Sequence, residues 1–273
     1  CAEREKCMIH QPRPFDPQAP AIVIDIGNTS TKVATWHDGV VTGPLSVPTG
    51  DAPAFVEALR AHAADSGRLG PAAAVVGSVV PEALRRVRQV VEDVLGYAAL
   101  VVGDSIPRPI DVDVMDEKSI GVDRVCQAAA AYDQLRTACT VVCFGTAVTV
   151  DLVDDEGVLV GGAILPGLRM QLRALHEFTA VLPAVEPGFP DLPYGRNTSE
   201  AIQTGVCRGL AGAVRNLVEG DAPHLNRWPQ VIATGGDAAF MAPHCDFLDK
   251  LVADLTLRGV GVAYSKHLAE AGA

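Results

Sequence analysis

The sequence has few basic residues and no cluster of them. Its 22 Lys and Arg residues stand against 33 Asp and Glu residues, which gives a formal net charge of −11 at pH 7. Proteins that bind nucleic acid neutralise its phosphates with a basic patch or stripe, so the charge disfavours a nucleic-acid partner. It is typical instead of an acidic enzyme of the cytoplasm.

Long apolar runs are also missing. No run approaches the roughly 20 residues that a membrane-spanning helix requires, so we expect no membrane association. Residues 1–20 are charged and rich in proline, without the apolar core of a signal peptide. We predict that they form a flexible tail and that the protein is cytoplasmic.

Cysteine and histidine are present, but their spacing does not indicate disulfide bonds or a zinc site. The seven cysteines are odd in number, form no Cys-x-x-Cys pair, and in several cases lie inside apolar runs. This pattern indicates reduced thiols rather than a disulfide framework. The seven histidines show no metal-ligand spacing either, which argues against a zinc site.

What the sequence does contain is a strand, a polar turn and a returning strand at Ala21 to Trp36. The apolar first strand ends at Asp25, the turn is Gly27 to Thr29, and Lys32 lies on the returning strand. Backbone N–H groups and a Thr hydroxyl in such a turn suit phosphate oxygens, and Asp25 can hold Mg²⁺ through water. From this stretch alone, an ordinary hairpin with favourable turn residues is the alternative.

The pattern occurs again later in the chain. Apolar residues 140–144 lead into Gly145 and Thr146, and a short apolar strand at 231–234 leads into Gly235 and Gly236. Each half of the chain opens with strand, Gly/Thr turn, strand, turn, strand and helix, which indicates an internal duplication. We predict an α/β protein with domains at residues 21–137 and 138–273 and a nucleotide cleft between them.

Hydrophobic periodicity predicts the remaining elements. The further strands are predicted at 40–47, 72–80, 98–102, 148–153 and 158–165, the helices at 54–64, 81–95, 119–135, 166–178, 198–218 and 256–269, an irregular connection at 104–118 and a loop at 188–197.

Taken together, these motifs resemble type III pantothenate kinase, a family of the actin–hexokinase–Hsp70 superfamily of ATP-binding proteins. The resemblance covers nearly all of residues 21–264, and the order and spacing of the motifs make it specific. The matching stretches are DIGNT with Lys32 (25–32), GVDR (121–124), GTAVTVD (145–151), GGAILPG (161–167), HEFTAVLP (176–183), GRNTSEAIQTG (195–205) and TGGDA (234–238).

The resemblance implies two duplicated ribonuclease-H-like (actin-like) domains with ATP in the cleft. It also implies ATP-dependent phosphorylation of pantothenate, the first step of coenzyme A biosynthesis, by a homodimer whose sites lie near the subunit interface. The expected cofactors are ATP and Mg²⁺.

The resemblance assigns roles to particular residues. Asp123 would be the general base and Arg124 its catalytic neighbour, while Asp25 would hold Mg²⁺ through water and Asp151 would assist the metal. From its spacing alone, an Asp-Arg pair at a helix start has the alternative reading of a cap and a solvated charge. The ATP-binding residues would be Asp25, Ile26, Gly27, Asn28, Thr29, Ser30, Thr31, Lys32, Gly145, Thr146, Gly235 and Gly236, and the pantothenate-binding residues Gly121, Val122, Asp123, Arg124 and Thr179.

Two positions depart from the family pattern. Cys143 stands where the family has an Asp that helps to bind a monovalent cation, usually potassium or ammonium, and a thiol is a poor ligand for a hard cation. Val114 stands where the family has a Tyr that lines the pantothenate site. These departures leave two alternatives open: a weak or inactive relative that serves as a regulatory or accessory factor, and a kinase for another small hydroxyl acceptor.

Overall fold

The computed structural model describes residues 19–65, 72–117 and 119–271. The predicted flexible tail lies outside these ranges except for its last two residues. The described chain forms two β-sheets with helices packed against them. Among the described residues, no helix is both long enough and apolar enough to cross a membrane.

The first sheet has the strand order β3-β2-β1-β4-β5. Strands β1, β2 and β3 are antiparallel neighbours, whereas β4 and β5 run parallel to β1. Strand β1 is buried on both faces, since Ile22 and Ile24 enter one apolar cluster and Val23 enters another. The strands are β1 (Ala21–Ile26), β2 (Ser30–His37), β3 (Val40–Pro48), β4 (Ala74–Ser78) and β5 (Leu100–Val101).

The second sheet repeats this topology, which confirms the predicted duplication. Strands β9-β8-β7-β10-β11 match β3-β2-β1-β4-β5 in order and direction, and a short additional strand, β6, runs parallel to β9 at the edge. This is the two-sheet, ribonuclease-H-like arrangement of the actin-like fold. The strands are β6 (Asp111–Val112), β7 (Cys139–Phe144), β8 (Ala147–Val153), β9 (Val158–Pro166), β10 (Gln230–Thr234) and β11 (Lys250–Leu251).

Helices α3 and α8 pack closely on each other and link the two sheets. A Cβ atom on Gly259 of α8 would collide with the backbone of Cys126 in α3, and one on Gly261 would collide with the Trp36 ring. Glycine at these positions therefore lets α8, the last helix, lie against the first sheet. The helices are α1 (Ala52–Asp65), α2 (Pro81–Leu95), α3 (Val122–Leu135), α4 (Leu168–Glu177), α5 (Thr198–Gln203), α6 (Gly209–Leu225), α7 (Ala238–Met241) and α8 (Leu255–Ala271).

Several predicted element boundaries are wrong. The helix expected from 119 begins at Val122, because Gly121 has extended backbone angles (φ −61°, ψ 132°). The helix expected from 166 begins at Leu168, since Pro166 ends strand β9. The connection at 104–118, expected to be irregular, contains strand β6.

The helix predicted at 198–218 is not uniform. It widens into a π-helical turn at Thr204–Arg208 between α5 and α6, and α6 continues to Leu225. A π-turn preserves a helical hydrophobic pattern closely enough that periodicity does not reveal it. The loop predicted at 188–197 is confirmed, because it contains neither helix nor strand.

Candidate functional site

The glycine turns of the two halves face each other. The hydroxyl oxygens of Thr29 and Thr146 lie 2.9 Å apart, although the residues are 117 positions apart in the chain. In each turn the glycine N–H donates to the carbonyl of the first residue of the returning strand. Gly27 donates to Ser30 (3.0 Å), and Gly145, in a turn that is one residue shorter, donates to Ala147 (3.1 Å). A Cβ atom would lie 3.1 Å from the Ser30 carbonyl oxygen at Gly27 and 3.3 Å from the Ala147 carbonyl oxygen at Gly145, so a larger residue in either turn would require a small shift of the backbone.

The third glycine turn lies against the end of β7. Gly235 has a φ of +102°, and a Cβ there would collide with the Phe144 backbone. Asp237, two residues after Gly235, donates its N–H to the Phe144 carbonyl (3.0 Å). On the other side, Gly167 at the start of α4 donates its N–H to the Thr146 carbonyl (3.2 Å). The predicted turns thus converge on one region.

The remaining residues of the first hairpin divide into core and surface. Ile26 is fully buried, and the buried Thr31 places its hydroxyl 3.2 Å from that of Thr49. Asn28 is exposed, and Ser30 closes the turn through its carbonyl. In this hairpin, Ile26 and Thr31 are therefore packed in the interior, and the exposed Asn28 lies at the tip of the turn.

Asp25 and Lys32 are opposite each other on β1 and β2. Burial raises the pKa of Asp25 to about 7; Lys32 opposes this shift, whereas Asp123 and Asp254 add to it. The Lys32 ammonium donates to Asp254 Oδ1 at 2.7 Å. Asp254 was not predicted from sequence, because no motif points to it; it lies in the turn before α8 with a φ of +53°.

Asp123 lies in the first turn of α3, as predicted, and its Oδ1 accepts the Arg124 N–H (2.9 Å). A Cβ on Gly121 would collide with this carboxylate, so the glycine makes room for it. Burial raises the pKa of Asp123, and the hydrogen bond and charge of Arg124 oppose that shift. Val122 beside it is half-buried. A half-buried carboxylate with a raised pKa fits a general base.

The Arg124 side chain binds an internal carboxylate. Its Nε donates to Asp151 Oδ1 at 2.8 Å, and a second guanidinium nitrogen contacts the same oxygen. The two side chains are only 15% and 1% exposed, so the alternative of a solvated charge is wrong. Burial raises the pKa of Asp151 against the lowering effect of Arg124, and its Oδ2 has no hydrogen-bond partner in the described structure. Gly162 leaves the space for this carboxylate, since a Cβ there would lie 2.6 Å from Oδ1.

Cys143 is a protonated thiol in this environment. Burial raises its pKa to about 12, and the nearby Asp123 carboxylate adds to the shift. Gln127 Nε2 lies 3.6 Å from its Sγ and donates to the Thr256 hydroxyl (3.0 Å). Gln127 and Thr256 were not predicted from sequence either, because a single polar residue inside an apolar helix carries no motif.

Thr179 has no described contact with the charged residues or the glycine turns. It follows α4 in an exposed segment, where its hydroxyl donates to the Leu175 carbonyl (2.6 Å) and accepts the Leu182 N–H (3.3 Å). Val114 is half-buried in the connection between β6 and α3. The described contacts of Thr179 are thus within its own segment.

A family model for type III pantothenate kinase matches residues 21–220. The chain belongs to the type III pantothenate kinase family. It is 32% identical over 253 residues to the type III pantothenate kinase of Syntrophotalea carbinolica, covering 90% of this chain and 98% of that one. It is 35% identical over 245 residues to that of Gluconobacter oxydans, covering 88% of this chain and 90% of the relative.

A solved structure supports the fold. The crystal structure of a conserved putative Baf family transcriptional activator from Campylobacter jejuni has a TM-score of 0.59 with 18% sequence identity. The match covers 92% of this chain and 98% of that chain. Because the identity is low, this likeness bears on the fold alone.

The carboxylates of this site are compatible with a divalent cation that is bound through water. Within the described ranges, no group of three or more His, Cys, Asp and Glu side chains is arranged to hold a metal ion directly. Mg²⁺ commonly binds through one or two carboxylates, water and the phosphates of a substrate. Asp25 at the end of β1 offers one such carboxylate, and its raised pKa reflects burial that a cation would offset.

Proposed function

We propose that this chain transfers the γ-phosphoryl group of ATP to the terminal hydroxyl of pantothenate, the first step of coenzyme A biosynthesis. The observation that carries the proposal is the position of Asp123, beside the buried Arg124–Asp151 pair and electrostatically coupled to Asp25. Family membership supplies the acceptor. The exposed Thr29 and Thr146 hydroxyls supply a place for the phosphates.

The phosphate chain binds between the two glycine turns in this proposal. The Thr29 and Thr146 hydroxyls and those turn N–H groups that do not close the turns donate to phosphate oxygens, and the ammonium of Lys32 adds a positive charge. Gly235 and Gly236 contribute a third turn beside β7. Mg²⁺ held by Asp25 through water would neutralise phosphate charge.

Asp123 accepts the proton of the attacking hydroxyl. Phosphoryl transfer depends mainly on positioning and charge stabilisation, with one group to orient the nucleophile and take its proton. Asp151 fixes the Arg124 guanidinium, so its remaining N–H donors have a defined direction in which to bind the pantothenate carboxylate or the transferring phosphoryl group. Gly121 and Val122 form the rest of this acceptor-binding turn.

A homodimer is part of the proposal. Phe178 and Val181 are 85% and 87% exposed and flank Thr179, and Ile164 on β9 is 64% exposed. Phe178 and Val181 lie three residues apart in one exposed segment, and a second copy that covers this segment would bring Thr179 towards the partner's acceptor site. Sedimentation analysis of F178D/V181D should give a monomer; an unchanged dimer would show that this segment is not the contact.

We further propose a cytoplasmic protein without nucleic-acid or membrane partners, on the basis of the net charge of −11. No comparison supports the regulatory alternative. Asp25, Lys32, Asp123 and Arg124 are all present and form a connected charged site, which a protein without catalysis has no need to keep.

Mass spectrometry tests the reaction. The protein is incubated with ATP, Mg²⁺ and pantothenate, and the products are analysed for pantothenate phosphorylated on its terminal hydroxyl. Other small hydroxyl acids serve as competing acceptors, because Val114 is the feature that favours a different acceptor. Phosphorylation of another acceptor in preference to pantothenate would change the proposed substrate but not the proposed kinase activity.

A further inference from the structure

Arg169 lies beside the second glycine turn. It is the second residue of α4, and α4 begins where Gly167 contacts the Gly145–Thr146 backbone closely enough that a Cβ on Gly167 would collide with both carbonyls. Gly167 N–H donates to the Thr146 carbonyl at 3.2 Å. The packing therefore fixes the start of the Arg169 side chain at the edge of the proposed phosphate site.

The guanidinium of Arg169 points to the third glycine turn. Its Nε lies 3.3 Å from Oδ1 of Asp237, the residue that directly follows Gly236. A second nitrogen lies 3.4 Å from Glu186 Oε2. Arg169 thus connects the second turn to the third.

These ion pairs leave the guanidinium available to a ligand. The Arg169 side chain is 66% exposed, and both pairs are long for charge-assisted hydrogen bonds. The pair with Glu186, which is 89% exposed, adds little to stability, so exchanging this contact for a ligand costs little, whereas Asp237 is 16% exposed and its contact costs more to exchange. The planar fork of N–H donors matches phosphate oxygens in a way that the turn N–H groups alone do not.

We propose that Arg169 is a nucleotide-binding residue that contacts the phosphate chain and exchanges its contacts with Glu186 and Asp237 when nucleotide binds. The inference rests on the nucleotide site of the proposed function and goes beyond its motifs, none of which includes Arg169. It assigns to the start of α4 a role in selecting phosphorylated ligands over the nucleoside.

Arg173 provides a matched control. It lies one helical turn further along α4, is 75% exposed, and pairs with Glu177 at 3.0 Å. It shares the helix, the charge and the exposure of Arg169 but has no described contact with a glycine turn. Alanine at either position leaves the core of α4 unchanged, because Leu168 and Leu172 are its buried residues.

Calorimetric titration with ADP and with adenosine tests the inference without requiring catalysis. We expect R169A to bind ADP about tenfold more weakly, R169K to lie between R169A and the unaltered protein, and R173A to match the unaltered protein. Adenosine affinity should be the same in all four proteins, because the lost contact is to phosphate. Melting curves without ligand establish that the variants are folded.

The outcomes separate this inference from the proposed function. If R169A and the unaltered protein bind ADP equally well, the inference is overturned, and the proposed kinase activity is unaffected. An equal loss in R173A also overturns it, since general charge would then explain the effect. Selective loss in R169A, in a protein that does not phosphorylate pantothenate, sustains the inference and refutes the acceptor assignment. A protein that binds no ADP refutes both.

Discussion

The hydroxyl groups of Thr29 and Thr146 lie 2.9 Å apart, one on each glycine turn of a duplicated fold. Both side chains are exposed, so this contact contributes little to holding the two halves together. In the proposed function, a phosphate group that enters between the turns takes up both hydroxyls, and the contact marks the point at which the two halves would share the ligand.

The Thr29–Thr146 contact predicts the effect of removing either hydroxyl. T29V and T146V should each weaken ADP binding by about two- to tenfold, because each removes one neutral hydrogen-bond donor to phosphate. T42V, at an exposed position of β3, is the control and should bind ADP normally. Titration calorimetry measures all three; normal ADP binding by both turn variants would argue against phosphate between the turns.

The Arg124–Asp151 pair predicts a stability difference between buried and exposed ion pairs. D151A leaves the 15% exposed Arg124 guanidinium without its partner and should lower the free energy of unfolding by about 3 kcal/mol. D133A breaks the exposed Arg136–Asp133 pair and should cost less than about 1 kcal/mol. Urea denaturation compares the two variants, and equal losses would contradict the account of the buried pair.

The duplicated fold could be predicted from sequence because its signal is repeated. The turn at Gly27 to Thr29 and the turn at Gly145 and Thr146 follow similar apolar strands, and in both the glycine N–H donates to the first residue of the returning strand. Tight turns depend on local steric rules, which a short motif records. The helix that carries Asp123 was also predicted, although its start was placed at 119 rather than at Val122.

The partners of the charged residues could not be predicted in this way. Lys32 pairs with Asp254, which is 222 positions away, and Arg169 pairs with Asp237 from another turn. Such contacts depend on how α8 and α4 pack on the sheets. The same limit applies to Gln127, whose hydrogen bond to Thr256 spans the α3–α8 contact.

The raised pKa of Asp25 predicts how stability depends on pH. Its pKa of about 7 in the folded protein lies above the ordinary value of 3.8, so between these values the folded state holds a proton that the unfolded state releases. The free energy of unfolding should therefore fall as pH rises through this window. D25N, which stays neutral, should flatten the slope and exceed the parent protein at about pH 8 by up to about 4 kcal/mol.

Urea denaturation of the ligand-free proteins across that pH range checks this prediction. Lys32 lowers the pKa of Asp25 whereas Asp123 and Asp254 raise it, so K32M should extend the fall in stability to higher pH. A D25N variant whose stability falls with pH as steeply as that of the parent protein between about pH 5 and about pH 7 would contradict this role of Asp25.

The buried Cys143 thiol predicts a weak response to monovalent cations. With its pKa raised to about 12, Cys143 is neutral at physiological pH and offers no oxygen ligand. Rates of ATP turnover in sodium, potassium and ammonium salts should agree within about twofold, since no hard ligand distinguishes the ions. C143D should introduce a preference among them and C143S should not; a strong preference in the unaltered protein would show that other oxygens hold the ion.

The most direct test of the kinase assignment is ADP release from ATP and Mg²⁺, measured with and without pantothenate. Pantothenate should stimulate ADP release, and D123N should lower the stimulated rate by about 10²- to 10⁴-fold while still binding ADP, because it removes the proposed general base. D133N, at an exposed position on the same helix, should retain the full rate. Folded protein that binds ADP but releases none in response to pantothenate, or a D123N variant as active as its parent, would contradict the account.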